Sequence, residues 1–298
     1  MIRFVNAKIN IGLQIVKRRE DGYHDLQTVF YPVGLYAGTP GNPDPFCDIL
    51  EIIPSEKNGV EFEFTGRKVD CPLEKNLVCR AAHLFWKAKE TNLRRCIGSN
   101  GLRICLDKHL PDGAGMGGGS ADATFTITTL NSLLDEGSRM SEEEMAAMAL
   151  QLGADCPFFV YNRPMYGEGV GEKLTDIPLD LSGYWFLIVK PRVFVSTKEA
   201  FAGIVPRKGE IDLRRLAEVP IQNWQGMVKN DFEDSIFPKY PELEEIKQQL
   251  LRRGAVYASM SGSGSSIYGI FTNLANAENA RVQFVNDGTN EGIYLLEG

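Results

Sequence analysis

The sequence predicts an α+β fold in two domains, and three observations carry that prediction. A chain of 298 residues with 43% hydrophobic content supplies two packed cores rather than one. Its first half opens on period-two strands and passes into helical patterns around a glycine-rich stretch. Its second half reads β-α…α-β-β-α-β, the order of a split βαβ, ferredoxin-like layer. The expected boundary falls near residue 163, giving domains 1–162 and 163–298.

In chain order, Val5, Ala7, Ile9, Ile11 and Leu13 alternate with Asn6, Lys8, Asn10 and Gly12, the pattern of a half-buried strand. Period two puts Asn6, Lys8 and Asn10 on one face. A lysine between asparagines is unusual for a solvated face, and an ordinary edge-strand lysine is the alternative. Asp21-Gly22 signals a turn, and Leu26 to Val33 reads as the returning strand. Tyr23-His24 at the loop exit can stack on a base or sugar ring, or simply pack. Ala37–Pro45, with three prolines and two glycines, is an irregular loop. Strands follow at Ile49–Ile53, Val60–Phe64 and Leu102–Leu106, with a helix over Asn76–Lys89 in which His83 has a structural or solvated place.

Leu110–Asp122 contains five glycines in thirteen residues and leads straight into a helix whose apolar positions are Ala123, Ile127, Leu130 and Leu134. Glycine lets the backbone take positive φ and approach a ligand closely, and the first helical turn offers unpaired N–H groups to an anion. A phosphate cradle is the sharper reading; a flexible surface loop is the blander one. The P-loop pattern fails because Ser120 follows Gly119 with no lysine. Gly113, Gly115 and Gly118 match the dinucleotide fingerprint, but the preceding strand stops short and Asp135 and Glu136 end a helix, not a strand. The protein-kinase motifs His-Arg-Asp and Asp-Phe-Gly do not occur.

Ser141-Glu142-Glu143-Glu144 is a capping box opening a helix with Met145, Met148, Ala149 and Leu152 on its apolar stripe, which Gly153 can close. Asp155 then stands before Pro157 and two phenylalanines, Phe158 and Phe159. A carboxylate in such company is a candidate base, or a capping or turn aspartate. The second half offers a strand Trp185–Lys190, helices from Thr197, at Pro241–Arg253 and at Ala275–Val285, and strands Ala255–Met260, Ser266–Phe271 and Ile293–Leu296. Ser261–Ser265 is a tight turn or a second phosphate-facing nest.

A formal charge of −7 disfavours general nucleic-acid or bilayer-surface binding. No run of about 18 apolar residues suits a transmembrane helix, and the first residues lack the apolar core of a signal peptide. The six cysteines form no Cys-x-x-Cys pair and no metal spacing with the three histidines, so reduced thiols in a cytoplasmic protein are expected.

Three separated stretches, Ala7-Lys8-Ile9-Asn10, Pro111–Asp122 and Ser259-Met260-Ser261-Gly262-Ser263-Gly264, together resemble the three motifs of the GHMP small-molecule kinases. The resemblance spans roughly residues 3–271. It implies an N-terminal domain like the second domain of ribosomal protein S5, with a left-handed crossover, and the ferredoxin-like C-terminal layer. Arg19–Phe30, with its Asp-Gly-Tyr-His core, and Leu152–Phe158 resemble the branch that phosphorylates a cytidine-diphosphate sugar alcohol.

The same resemblance implies Lys8 and Asp155 as catalytic residues. Pro111, Asp112, Gly113, Ala114, Gly115, Met116, Gly117, Gly118, Gly119, Ser120 and Ala121 would form the ATP site, with Mg²⁺ bridging phosphates through ligands the sequence does not name. Asn10, Tyr23, His24, Phe201, Gly262, Ser263 and Gly264 would face the substrate. Phe194 competes with Phe201 as the second aromatic on the base. The implied state is a monomer or weak homodimer. Met116 stands where the family has leucine, a change of similar volume. Competing readings are a GHMP kinase for homoserine or a mevalonate derivative, a dinucleotide oxidoreductase, and a non-enzymatic binder sharing the N-terminal fold with ribosomal RNA-binding proteins.

Overall fold

The computed structural model describes residues 1–34, 46–69 and 71–298; the proline-rich Ala37–Pro45 loop lies outside the described residues. In chain order the elements are β1 (Ile2–Val5), β2 (Ala7–Arg18), β3 (His24–Val33), β4 (Asp48–Ser55), β5 (Gly59–Gly66), α1 (Leu77–Ile97), β6 (Gly101–Lys108), α2 (Gly118–Ser132), α3 (Glu142–Leu150), α4 (Cys156–Tyr161), β7 (Met165–Gly169), β8 (Lys173–Asp176), β9 (Trp185–Pro191), α5 (Thr197–Ala202), α6 (Phe232–Ile236), α7 (Pro241–Arg252), β10 (Tyr257–Met260), β11 (Ile267–Phe271), α8 (Leu274–Asp287) and β12 (Asn290–Glu297). They fall into two compact units interleaved in sequence.

The first unit comprises Met1–Ala7, Asp44–Asp112 and Gly117–Asn162. Its sheet runs β1-β4-β6-β5, with β5 parallel to β6 and the other pairs antiparallel. Leu50, Ile52, Leu102, Ile104 and Leu106 are buried on its strands, and α1 and α2 pack together and against it. Asn76 caps α1 by accepting from the Val78 N–H, and Gly98 ends it in the left-handed region. That helix outruns the expected Asn76–Lys89. The Ser141–Glu144 capping box of α3 forms with both hydrogen bonds in place. Gly153 does not close α3, because the helix ends at Leu150 with Gln151 as its cap.

The second unit comprises Lys8–Pro43, Gly113–Met116 and Arg163–Gly298. One sheet runs β2-β3-β7-β8 and the other β10-β11-β9-β12. Counting the latter's strands from β9, the order is 2-3-1-4 and every pair is antiparallel, which is the ferredoxin-like layer with α7 and α8 packed on it. Leu187, Val189, Leu243, Leu250, Ile267, Phe271 and Phe284 form its core.

Two departures from the sequence reading have physical causes. The expected strand from Val5 divides at Asn6 into β1 and β2 and is not half-buried: Asn6, Lys8 and Asn10 are as buried as Ala7, Ile9 and Ile11. Alternation of residue type here separates a hydrogen-bonded face from an apolar one rather than water from core. The strands β7 and β8 were not expected, because Gly167, Gly169 and Gly171 erase a strand signal. Gly167 serves packing. A Cβ there would come within 2.6 Å of the Phe30 ring, so its absence makes room for that ring beside β7.

Candidate active site

In the second unit, β2 presents Lys8 and Asn10 on its polar face. The Lys8 Nζ donates to Asn10 Oδ1 at 2.6 Å and to the Gly115 carbonyl at 3.2 Å, and lies 5.4 Å from the centroid of the Phe30 ring. Asn10 is fixed from four sides. Its Nδ2 donates to Thr28 Oγ1 at 3.0 Å, its N–H to Ser261 Oγ at 3.3 Å, and its carbonyl accepts from Tyr268 Oη at 2.9 Å; Oδ1 holds Lys8. Burial pushes the Tyr268 phenol well up, so it stays a neutral donor. The ammonium is therefore held in one position, only 3% exposed, by partners of which the amide and carbonyl are uncharged.

Gly113–Met116 passes directly by this strand: the Lys8 N–H donates to Met116 O at 3.0 Å. Gly115 has φ +71°, and a Cβ there would sit 2.0 Å from Ser261 O, so only glycine fits. The Ser261–Ser265 turn closes on itself through Ser261 N–H to Ser266 O at 2.9 Å and Gly264 N–H to Ser261 O at 2.9 Å. It meets the glycine segment through Ser261 Oγ to Gly115 O at 2.9 Å and Ser266 N–H to Ala114 O at 3.3 Å. Lys8, Asn10, Gly113–Met116 and Gly262 are thus gathered in one place. Met116 is buried at 2%, filling its apolar position as leucine would.

The exit of the β2–β3 turn carries Tyr23 and His24. Arg19 pairs with Asp21 and Asp25, and the Arg19 N–H donates to Tyr23 O, which fixes the turn. Tyr23 is 65% exposed, while the His24 ring stacks on Phe201 with centroids 4.9 Å apart. Burial, with Arg18 adding to it, lowers the His24 pKa, so its imidazole is neutral at neutral pH and offers one donor and one acceptor. Phe194 stands elsewhere, exposed at its own ring and beside Gly113, where a Cβ would meet it at 2.7 Å.

In the first unit, Gly117 caps α2 with φ 71°, no side chain caps the helix, and its first turn holds no acid. Gly118, Gly119 and Ser120 thus leave first-turn N–H groups for an anion. Asp155 occupies the N-cap position of α4 with αR backbone and makes no side-chain capping hydrogen bond. The capping role open to it in sequence is not the one it takes. Helix α4 itself was unforeseen, since Pro157 at its first turn reads equally as a breaker.

Residues 76–163 match the family GHMP kinases N terminal domain, and residues 210–289 match GHMP kinases C terminal. A 4-diphosphocytidyl-2-C-methyl-D-erythritol kinase of Bacteroides thetaiotaomicron is 47% identical over 273 residues, covering 91% of this chain and 92% of its own. One of Azobacteroides pseudotrichonymphae is 44% identical over 275 residues, covering 91% and 93%. The chain belongs to the 4-diphosphocytidyl-2-C-methyl-D-erythritol kinase family of GHMP kinases. It is a small-molecule kinase. A crystal structure of a 4-(cytidine 5'-diphospho)-2C-methyl-D-erythritol kinase superposes with TM-score 0.80 at 29% identity, covering all of both chains. A homoserine kinase from Cytophaga hutchinsonii, TM-score 0.68 at 20% identity over 98% and 94% of the two chains, shares the fold.

Within this GHMP kinase, one buried cluster escaped the sequence reading. Lys108, at the end of β6, donates to Asp48 and, at 2.8 Å, to Asp122 on α2. Asp48 also accepts the His109 and Leu110 N–H groups at 2.6 and 2.7 Å. All three side chains are at most 3% exposed. The cluster lies under the glycine stretch, since a Cβ on Gly118 would be 3.2 Å from Lys108 Nζ. Asp122 ends the glycine stretch in sequence, but an acid there carries no pattern that names its partners. Burial, opposed by Lys108 and reinforced by Asp48, raises the Asp122 pKa well above the usual carboxylate range, and among the described residues its Oδ1 has no hydrogen-bond partner.

The folded state thus binds this proton more tightly than the unfolded chain does, and the group removes stability as pH rises above 3.8. Asp122→Asn does not titrate, so it should melt at or above the parent temperature at pH 8, with the gap closing as pH falls toward 4. Thermal unfolding against pH checks this; a variant several degrees less stable at pH 8 would mean that Asp122 is an ionised partner of Lys108.

Proposed function

We propose that the protein transfers the γ-phosphoryl group of ATP to the 2-hydroxyl of 4-diphosphocytidyl-2-C-methyl-D-erythritol. The hydroxyl oxygen forms a bond to the γ-phosphorus as the bond to the β,γ-bridging oxygen breaks, and ADP leaves. Asp155 takes the hydroxyl proton. Lys8 neutralises negative charge on the reacting oxygens. Phosphoryl transfer asks for little covalent help, so positioning and fixed electrostatics carry it. Gly113–Ser120 cradles the phosphates, flanked by Pro111, Asp112 and Ala121. The α2 terminus, which no side chain caps, and Gly115, whose Cβ would collide with the Ser261 carbonyl, fit that role.

Mg²⁺, when bound, would offset negative charge on the ATP phosphates. Among the described residues no group of three His, Cys, Asp or Glu side chains is gathered as a metal site. Tyr23, neutral His24 and Phe201 read the cytosine, while Asn10, Gly262, Ser263 and Gly264 line the acceptor. Cytoplasmic residence fits the six unpaired cysteines. Among the described residues no helix is long and apolar enough to cross a membrane. We expect a monomer or weak homodimer, with no nucleic-acid partner at a charge of −7.

The observation that carries the reading is the buried Lys8 ammonium clamped between Asn10 and the Gly115 carbonyl of the glycine segment. The test is an acceptor panel with ADP formation as readout. Turnover with the cytidylated erythritol and not with homoserine or mevalonate supports the reading; turnover with either of the latter alone replaces it.

A further inference from the structure

The Ser261–Ser265 turn has a support that neither the glycine motifs nor the catalytic pair supplies. Asn230, 1% exposed, lies in a segment stitched to β2 through Leu13 N–H to Lys229 O at 2.9 Å and Asp231 N–H to Leu13 O at 2.8 Å. Asp231 adds a third tie by accepting the Ile15 N–H at 2.8 Å. The Lys229–Asp231 backbone is therefore locked to the strand that carries Lys8 and Asn10.

From that lock the Asn230 Nδ2 donates to two carbonyls of the turn region, Met260 O at 2.7 Å and Gly262 O at 2.8 Å, while its Oδ1 accepts the Phe232 N–H at 3.0 Å. Every hydrogen of the amide and its oxygen are thus assigned. An aspartate, having no N–H, would set an oxygen against two carbonyl oxygens.

The consequence concerns the next peptide. In a trans peptide the C=O and the following N–H point in opposite directions, and Gly262–Ser263 is trans, the one cis bond among the described residues being Gly264–Ser265. With the Gly262 carbonyl drawn inward to Asn230, the Ser263 N–H is turned away from it. Among the described residues that N–H makes no backbone hydrogen bond. Its side chain, by contrast, is engaged with Thr197 Oγ1 at 3.3 Å. Left-handed Gly262, with φ +53°, and Gly264, with φ +90°, on either side make this outward orientation accessible.

We infer that Asn230 is a positioning residue of the transfer reaction: it pins the Gly262–Ser263 peptide so that the Ser263 N–H is presented to an anionic oxygen of the acceptor. The inference rests on the reading that this turn faces the acceptor, and the test separates the two.

Asn230→Ala and Asn230→Asp should raise the KM for 4-diphosphocytidyl-2-C-methyl-D-erythritol at least about tenfold, with Asp the worse, while the KM for ATP stays within about twofold; a tenfold change corresponds to about 1.4 kcal/mol. Tyr257→Phe, which removes a buried hydrogen bond to Val228 O in the same unit, serves as the structural comparison and should leave both KM values unchanged. Gly262→Ala crowds Gly115 O and Asn10 Oδ1, at 3.0 and 3.3 Å from the added Cβ, and disturbs the turn while Asn230 itself is unaltered. If Gly262→Ala impairs the acceptor KM and the Asn230 variants do not, the role of Asn230 is overturned alone. If Gly262→Ala is also harmless, the acceptor-facing reading of the turn falls, and the inference with it.

A readout in the unaltered protein covers the case in which the Asn230 variants fail to fold. The Ser263 amide proton should move downfield on titration with the same acceptor, and a resonance that does not move at saturation overturns the assignment.

Discussion

Asp155→Asn should lower kcat by about a thousandfold or more, in the upper part of the roughly 10²–10⁴ range that a positioned general base supplies. The change keeps the side chain's size and replaces the proton-accepting oxygen with an amide. ATP binding should hold within about threefold, because the base acts on the acceptor rather than the nucleotide. The fold should hold as well. Asp155 makes no capping bond to α4, so its loss does not unsatisfy that helix. Steady-state kinetics with ATP and acceptor varied separately, beside a melting curve, give the result. Turnover within about tenfold of the parent would remove Asp155 from proton transfer, since the low end of the same range would not be reached.

Lys8→Met should cost about 10²–10³ in kcat, the typical loss when one preorganised electrostatic stabiliser is removed. Methionine keeps an unbranched apolar stem against Phe30 and deletes the charge. A unit pair at about 4 Å is worth about 4 kcal/mol at an effective dielectric near 20, which sets the scale of what the ammonium can do for charge on the reacting oxygens. A stability loss of about 1–3 kcal/mol should accompany it, because Asn10 Oδ1 loses the Lys8 donor in the interior and Gly115 O is left with Ser261 Oγ. Arginine should not rescue, since a guanidinium is larger and needs a planar fork where the lysine head has a compact buried seat. The measurement is kcat together with the melting temperature. A kcat loss that disappears when assayed well below the melting point would make Lys8 a structural lysine.

The sequence was most legible where local chemistry decides local structure. The Ser141–Glu144 box, the strands β9 to β12 and the helix following the glycine stretch were readable within a few residues from periodicity and caps. The two-domain α+β class followed from their order. What sequence could not disclose is what long-range packing decides. The burial of both faces of β2 depends on what covers it, and a lysine between asparagines reads alike at a wet edge and in a dry interior. The interleaving of the units, with Gly113–Met116 grouped apart from Gly117, leaves no compositional trace.

For the site, motif spacing named the segments but not their attachments. That Gly115 must be glycine because Ser261 O occupies its Cβ position joins residues 146 apart. Asn230 and the Lys108–Asp48–Asp122 cluster carry no signature, because buried amides and ion pairs are recognised by their partners and not by their neighbours in sequence.

The central claim is that this chain phosphorylates a cytidylated sugar alcohol, and one comparison tests it most directly. ADP formation from ATP and Mg²⁺ would be measured with 4-diphosphocytidyl-2-C-methyl-D-erythritol and, in parallel, with the uncytidylated 2-C-methyl-D-erythritol 4-phosphate. The account predicts acceptor-dependent ADP release with the first and background release with the second. Equal release with both would contradict the reading of cytosine by Tyr23, His24 and Phe201, and no release with either, ATP binding being intact, would contradict the assigned reaction.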